Sequence, residues 1–302
     1  MLRRVSCVLV VVCLIVTACS QDNSATNETL DPSTTVAPVT TTTTVPTTVT
    51  QPAVAVGCDE PLAAPGEHEG LSVVDGVERS YWVVVPESYA DVTPAPLFVW
   101  LASGSGDDDY FLGGWRPYLS DLPGLMVIVN TTRGPSPDEL TGLIDQLTAE
   151  YCIDTTRIHA LGESSSEGAV ISLACEESDR IASFVAALGS STPLETCNPE
   201  RPVPLLSFTG DTDRTGVTAL VERWAELNDC DPEPLVEDLG SDVVRKTYQR
   251  CEADVVFYDI EGMGHDWPIH EAKGPGAGYV AVYEEVDYLE EALEFFEEHP
   301  LP

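Results

Sequence analysis

The chain has 302 residues, of which 51 are Asp or Glu and only 14 are Lys or Arg, so its formal net charge at pH 7 is −37. This balance excludes a nucleic-acid partner, because phosphate contacts need a basic face. The acidic residues are spread along the chain and cluster near its C-terminus, which is typical of a solvated surface that keeps a protein soluble.

The N-terminus has the pattern of a lipoprotein signal peptide over residues 1–18. Two arginines precede an apolar run from Val5 to Val16, and small residues lead up to Cys19. The run is shorter than the roughly 20 residues that cross a bilayer, so we interpret it as a secretory signal. The residues around the cysteine resemble a bacterial lipobox, which implies cleavage before Cys19 and a lipid on its thiol. We therefore expect an extracellular protein with a lipid anchor in the outer face of the cell membrane; the alternative is ordinary secretion.

Residues 19–57 are expected to form a disordered linker. Eleven of the 22 residues from Thr29 to Thr50 are threonine, with prolines between them. Such a segment has too little apolar surface to offset its chain entropy, and its composition favours extended conformations. The remaining residues 58–302 are numerous enough for one domain with a sizeable core.

Six cysteines lie within residues 58–302, and an even number outside the cytoplasm predicts three disulfides. Several pairings are possible, and we favour the set that closes the shorter local loops: Cys58–Cys152, Cys175–Cys197 and Cys230–Cys251. The sequence contains no Cys-x-x-Cys pair, so it does not predict a zinc site.

Within residues 58–302, short apolar or β-branched runs alternate with segments of helical spacing. The predicted strands are Tyr81–Val85, Leu97–Leu101, Leu125–Val129, Arg157–Leu161, Ile181–Leu188, Val203–Phe208 and Val255–Ile260. The predicted helices are Asp138–Tyr151 with Asp138 as the N-cap, a helix that starts within Glu167–Cys175, Val217–Leu227, and a long amphipathic Tyr279–Glu298. This alternation predicts an α/β fold with a mainly parallel central sheet and helices on both faces.

Three candidate catalytic residues each follow a predicted strand: Ser164 in Gly-Glu-Ser-Ser-Ser-Glu-Gly, then Asp213, then His265. The carboxyl ends of parallel strands share one edge of a sheet, so these side chains are expected to lie close together. A serine on a strand-to-helix turn, followed in the chain by an acid and a histidine, is the order found in α/β-hydrolase nucleophilic catalysis.

These residue types have complementary roles, because a serine hydroxyl needs a base and the base needs a group that orients it. Ser164 is expected to attack an acyl carbonyl, His265 to move the proton, and Asp213 to orient the imidazole. The backbone N–H of Ser165 is the expected first oxyanion donor, and the turn after Leu101, at Ser103, the expected second.

Each of the three candidates has an alternative interpretation. Ser164 lies in a serine-rich stretch that also suits a polar turn, and His265 also suits a surface loop. Asp211 competes with Asp213 for the role of the acid.

Three other features have simple structural interpretations beside functional ones. His159 falls within a predicted strand and is expected to be a packed core residue. Trp267 is a candidate wall of the acyl pocket, with ordinary packing as the alternative. Asp107-Asp108-Asp109 suits a solvated loop better than a calcium site, so no metal is predicted.

Taken together, several stretches resemble the secreted α/β-hydrolase esterases that include poly(3-hydroxybutyrate) depolymerases and feruloyl esterases. They are Arg79–Pro86, Tyr151–Ile158, Leu173–Cys175, Gly210–Asp213, Trp224 with Asn228–Cys230, and Gly264–Pro268. The resemblance implies an α/β-hydrolase fold and an ester substrate, with no cofactor, and it does not imply a protein partner. It also implies a catalytic triad of Ser164, Asp213 and His265.

The chain departs from that family in two places. The usual elbow reads Gly-x-Ser-x-Gly and is often followed by another glycine, but here the last two of these positions hold Ser166 and Glu167. The usual Leu-His-Gly turn reads Leu101-Ala102-Ser103-Gly104. Two hypotheses follow. The chain is either an extracellular serine esterase or a non-catalytic descendant that binds a ligand or a cell-wall component.

Overall fold

A computed structural model describes residues 58, 62–91, 94–103, 116–119, 121–130, 134–189, 194, 196–212, 216–271 and 280–302. All described residues belong to one compact unit within Pro52–Pro302. The predicted signal, linker, lipidated Cys19, acidic run at 107–109 and catalytic Asp213 lie outside the described residues.

Twelve strands, numbered β1 to β12 in chain order, occur within the described part of the chain. They are Gly66–Val74, Val77–Val85, Ala95–Ala102, Leu125–Asn130, Ile153–Glu163, Phe184–Ala187, Leu205–Gly210, Leu235–Gly240, Val243–Thr247, Val255–Ile260, Trp267–Ile269 and Val280–Val282. The first ten form one sheet in the order β1-β2-β4-β3-β5-β6-β7-β10-β9-β8. Its centre, from β4 to β10, is parallel, and its edge strands are antiparallel.

Four α-helices of the described ranges, numbered α1 to α4, cover both faces of this sheet: Pro137–Glu150, Glu167–Glu176, Val217–Leu227 and Tyr288–Glu298. One core contains apolar side chains of α1, α2 and α3, and the second contains those of α4. All eight residues of β3 are buried, as expected for a strand covered on both faces. The predicted mainly parallel α/β sheet with helices on both faces is confirmed.

Helix α1 starts one residue earlier than predicted, and its N-cap is Ser136 rather than Asp138. The Ser136 hydroxyl accepts the backbone N–H of Glu139, and the Glu139 carboxylate accepts the N–H of Ser136, which forms a capping box. Pro137 occupies the first helical position, where its missing N–H has no cost.

Several predicted elements are wrong in extent. The helix predicted over Tyr279–Glu298 begins at Tyr288, because Val280–Val282 pairs in parallel with Trp267–Ile269. Asp287 caps the shorter helix by accepting the N–H groups of Leu289 and Glu290. The strand predicted over Ile181–Leu188 shortens to β6. The edge strands β1, β8 and β9 were not predicted.

All three predicted disulfides are present: Cys58–Cys152, Cys175–Cys197 and Cys230–Cys251. The first ties the start of the domain to the residue before β5. The second links α2 to the segment before β7. No helix in the described ranges has the length and apolar character required to cross a membrane.

Candidate active site

The predicted nucleophile Ser164 lies on a sharp turn between β5 and α2. Its φ is +52°, in the left-handed region that residues with a side chain seldom adopt. Ser164 is half-buried, and Ser165 beside it is exposed. A serine held in this strained strand-to-helix conformation has its hydroxyl at the carboxyl edge of the sheet, which is the geometry of a nucleophile elbow.

Hydrogen bonds within the turn hold this conformation. The Ser166 hydroxyl accepts the N–H of Glu163 at 2.9 Å and donates to the carbonyl of Glu163 at 2.7 Å. A Cβ on Gly162 would lie 3.1 Å from the Ser166 carbonyl oxygen and 3.2 Å from the Cβ of Val170. Gly162 therefore permits the close approach of strand and helix.

Glu167, at the position where a glycine often follows the elbow, fits here because Gly189 beside it has no side chain. Glu167 is 1% exposed and packs against Gly189, where an added Cβ would overlap the Glu167 carboxyl group. Glu167 also begins α2, where the helix dipole favours a negative charge. Ser166 and Glu167 are thus accommodated within a strand–turn–helix geometry.

A buried carboxyl group lies immediately before the nucleophile. Glu163 is 3% exposed, and its Oε2 accepts the indole N–H of Trp100 at 3.0 Å. Its Oε1 accepts the N–H of Ser103 at 3.2 Å and the Ser103 hydroxyl at 2.9 Å. Burial raises the pKa of Glu163 to about 7, and these hydrogen bonds only partly offset that effect.

The acid turn and the histidine loop form one hydrogen-bonded unit. The Asp211 carboxylate accepts the N–H of Gly262 at 2.6 Å. The Thr212 hydroxyl and the Thr212 N–H both donate to the carbonyl of Met263, at 2.6 and 3.2 Å. The loop that carries His265 is therefore held against the turn after β7.

The strands that precede the serine turn and the histidine loop end at the same edge of the sheet. β5 and β10 both belong to its parallel centre, so their carboxyl ends lie at one edge. Ser164 directly follows β5, and His265 lies five residues after the end of β10 and is exposed. Beyond His265, the Trp267 ring contacts Trp100 edge-on, with 5.9 Å between ring centroids, in the core that contains α4.

The predicted site residues thus have different outcomes. Ser164, Ser165 and His265 lie at the same edge of the sheet, and Asp213 lies outside the described residues. Asp211 lies within the described residues, and its carboxylate accepts the N–H of Gly262 in the histidine loop.

Ser103 is not supported as the second oxyanion donor. A backbone N–H has one hydrogen, and here it is directed at Glu163.

Trp267 is 7% exposed and packs edge-on against Tyr288, at 4.2 Å between ring centroids. Trp267 is therefore a packed core residue, and a role as pocket wall stays a prediction. His159 is a core residue, as predicted. It is 1% exposed, contacts the Ser183 hydroxyl at 2.8 Å and stacks on Phe296, and burial lowers its pKa to about 3.

Sequence reasoning missed the roles of Glu163 and Asp211. Glu163 is an acid at the end of an apolar run, and that anomaly was visible in the sequence. Its partners Trp100 and Ser103 are 63 and 60 residues away, so no local pattern could identify them.

Comparison of the sequence with known proteins finds no matching family model but does find two relatives. Feruloyl esterase B of Piromyces equi is 29% identical over 150 residues, which cover 40% of this chain and 27% of that protein. A probable feruloyl esterase C of Aspergillus niger is 24% identical over 231 residues, which cover 70% of this chain and 83% of that protein. The chain thus spans about a quarter of the first relative's length and most of the second's.

Solved structures show the same architecture. Acetyl xylan esterase from Aspergillus awamori superimposes with a TM-score of 0.53 at 12% identity, over 77% of this chain and 99% of that one. A thermostable esterase superimposes with a TM-score of 0.52 at 18% identity, over 78% of this chain and 63% of that one. The expected α/β-hydrolase fold is confirmed.

Proposed function

We propose that this chain, which has the α/β-hydrolase fold, is a serine esterase that hydrolyses carboxylic esters through Ser164, Asp213 and His265. The observation that carries the proposal is the turn at Ser164, whose φ of +52° presents a serine at the carboxyl edge of the sheet, where the strand before the histidine loop also ends. The feruloyl esterase relatives and the esterase structures support the same class of reaction.

In the proposed reaction, the Ser164 oxygen attacks the ester carbonyl while His265 takes the hydroxyl proton. The tetrahedral oxyanion is stabilised by the N–H of Ser165, which lies in the first turn leading into α2, where N–H groups lack helical partners. Collapse of this intermediate breaks the bond to the alcohol, which leaves with the proton from His265. Water then attacks the acyl-enzyme with His265 as base, and the acid departs as Ser164 regains its proton.

An ester panel tests the reaction class. The purified protein is expected to hydrolyse p-nitrophenyl acetate and butyrate, because an activated ester needs only the triad and the oxyanion donors. We expect kcat/KM on the order of 10⁴ M⁻¹s⁻¹ or more for a suitable ester. Folded protein without measurable turnover of any ester in the panel would contradict the proposal.

The ester of an aromatic acid is the proposed natural substrate class, because both sequence relatives are feruloyl esterases by name. Poly(3-hydroxybutyrate) and acetyl esters are the alternatives that suit the same triad, since specificity lies in the shape of the pocket. Methyl ferulate, acetylated xylan and soluble hydroxybutyrate oligomers in the same panel distinguish these classes by their relative kcat/KM.

We also propose that the enzyme acts outside the cell and is attached to the membrane through a lipid on Cys19. Three disulfides support an oxidising compartment. In a bacterial host, Cys19→Ser is expected to move the protein from the membrane fraction to a soluble fraction and to abolish incorporation of an alkyne fatty acid. Unchanged membrane association in this variant, without fatty-acid labelling of the wild type, would contradict the anchor.

A non-catalytic ligand-binding protein is the second candidate function. It is favoured by the Ser103 N–H, which is directed at Glu163 rather than towards an oxyanion. Ester turnover that is lost in His265→Ala would exclude it.

A further inference from the structure

Three donors converge on the carboxyl group of Glu163, the residue before the proposed nucleophile. The Trp100 indole N–H donates to one oxygen at 3.0 Å, and the Ser103 N–H and hydroxyl donate to the other at 3.2 and 2.9 Å. Both donor residues lie at the carboxyl end of β3, which pairs directly with β5. One buried side chain therefore joins the ends of two neighbouring strands.

The backbone of Glu163 is held as well. The Ser166 hydroxyl accepts its N–H and donates to its carbonyl. With both its backbone and its side chain constrained, Glu163 limits the positions that Ser164 can occupy. The φ of +52° at Ser164 is a strained conformation, and such strain persists only where the surroundings over-determine it.

We propose that Glu163 is a positioning residue for the reaction: its carboxylate anchors the Ser164 turn to the end of β3 through Trp100 and Ser103. This inference rests on the proposed esterase function, since the position of Ser164 affects a rate only if Ser164 reacts. An ionised carboxylate has only acceptor sites for these three donors, whereas a protonated carboxyl must place a hydrogen of its own among them. The anchor is therefore strongest when Glu163 is ionised.

Among the described residues, the groups that face this carboxyl are polar but uncharged near neutral pH. They are the Trp100 indole, the Ser103 hydroxyl and the phenol of Tyr288 on α4, whose pKa is raised well above its ordinary value by burial first and by Glu163 second. With the pKa of Glu163 raised to about 7, its own ionisation changes over the pH range in which esterase activity is measured.

Glu163→Gln tests the proposal, because glutamine keeps the size of the side chain but cannot ionise and carries an NH₂ that faces one of the donors. We expect kcat for p-nitrophenyl butyrate to fall about 10- to 100-fold, as for a nucleophile displaced by less than 1 Å, with KM changed less than about 3-fold. The contribution of Glu163 to the pH profile near pH 7 is expected to disappear. Glu176→Gln, an exposed acid at the other end of α2, is the matched control and should retain the wild-type rate and profile.

A folded Glu163→Gln variant with the kcat and pH profile of the wild type would overturn the proposal and leave the esterase standing. A variant that is faster than the wild type at pH 8 would also overturn it, because the carboxylate would then oppose the reaction. If Glu163→Gln does not fold, Ser103→Ala and Trp100→Phe each remove one donor, and unchanged kcat in both overturns the anchor. A folded wild type with no turnover contradicts the proposed function itself, so the two failures are distinguishable.

Discussion

Ser164→Ala is expected to lower kcat for ester hydrolysis by about 10⁴-fold or more, because the variant lacks the hydroxyl that forms the proposed acyl-enzyme. His265→Ala is expected to cause a loss of the same order, since the hydroxyl then has no base. The double variant should be little worse than either single one, because the two residues act in one step. The measurement is kcat for p-nitrophenyl butyrate in each variant, with circular dichroism to confirm folding.

Ser88→Ala is a matched control for Ser164→Ala. Ser88 is half-buried and its hydroxyl contacts the carbonyl of Leu122, near the start of β4 and thus at the opposite edge of the sheet. Its removal should leave kcat within about 2-fold, as expected of a substitution remote from the site. Equal rates in the wild type and in folded Ser164→Ala would assign the hydrolysis to another group.

Substitution of the two competing acids is expected to give opposite results. Asp213→Asn should lower kcat by about 10⁴-fold, because an amide cannot hold the imidazole in the required tautomer or stabilise its charged form. Asp211→Asn should keep kcat within about 10-fold, because the amide oxygen still accepts the N–H of Gly262. Asp211→Ala removes that acceptor and should have an effect between the two.

The kinetics of these acid variants decide which residue completes the triad. Loss of activity in Asp211→Asn with near-normal activity in Asp213→Asn would reverse the assignment. Melting temperatures measured in parallel show whether any loss follows from a displaced histidine loop that also destabilises the protein.

Local pattern predicted the core of the fold well. Val217–Leu227 and Val255–Ile260 have the predicted bounds, because helical spacing in one and a largely apolar run in the other were set by burial against a covered sheet. The edge hairpin of β8 and β9 was missed because strand prediction relies on alternating apolar and polar residues. Every residue of Leu235–Glu237 is exposed, so burial imposes no such alternation on this part of the sequence.

The terminal helix shows the limit of periodicity. Val280–Val282 continues the apolar spacing of the helix that follows it, yet these residues pair with Trp267–Ile269, a contact that only the folded chain supplies. Asp287 was the available signal for the true start, since an aspartate ahead of a helical segment is a strong N-cap.

The candidate site was predictable where chemistry follows chain order and was not predictable where it depends on distant contacts. Ser164 and His265 were chosen as candidates because both follow strands that end at one edge of the sheet, and their catalytic roles stay predictions. The donation of the Ser103 N–H to Glu163 depends on the pairing of β3 with β5, so no local pattern indicated this competing use of the proposed oxyanion donor.

The central claim is that Ser164 is an activated nucleophile, and covalent labelling tests it most directly. The full-length protein is treated with a fluorophosphonate, and the site of modification is located by peptide mass spectrometry. We predict a single phosphonyl adduct on Ser164, absent from Ser164→Ala and slowed by orders of magnitude in His265→Ala. Folded wild-type protein that remains unmodified, or an adduct on Ser165 or Ser166 instead, would contradict the account.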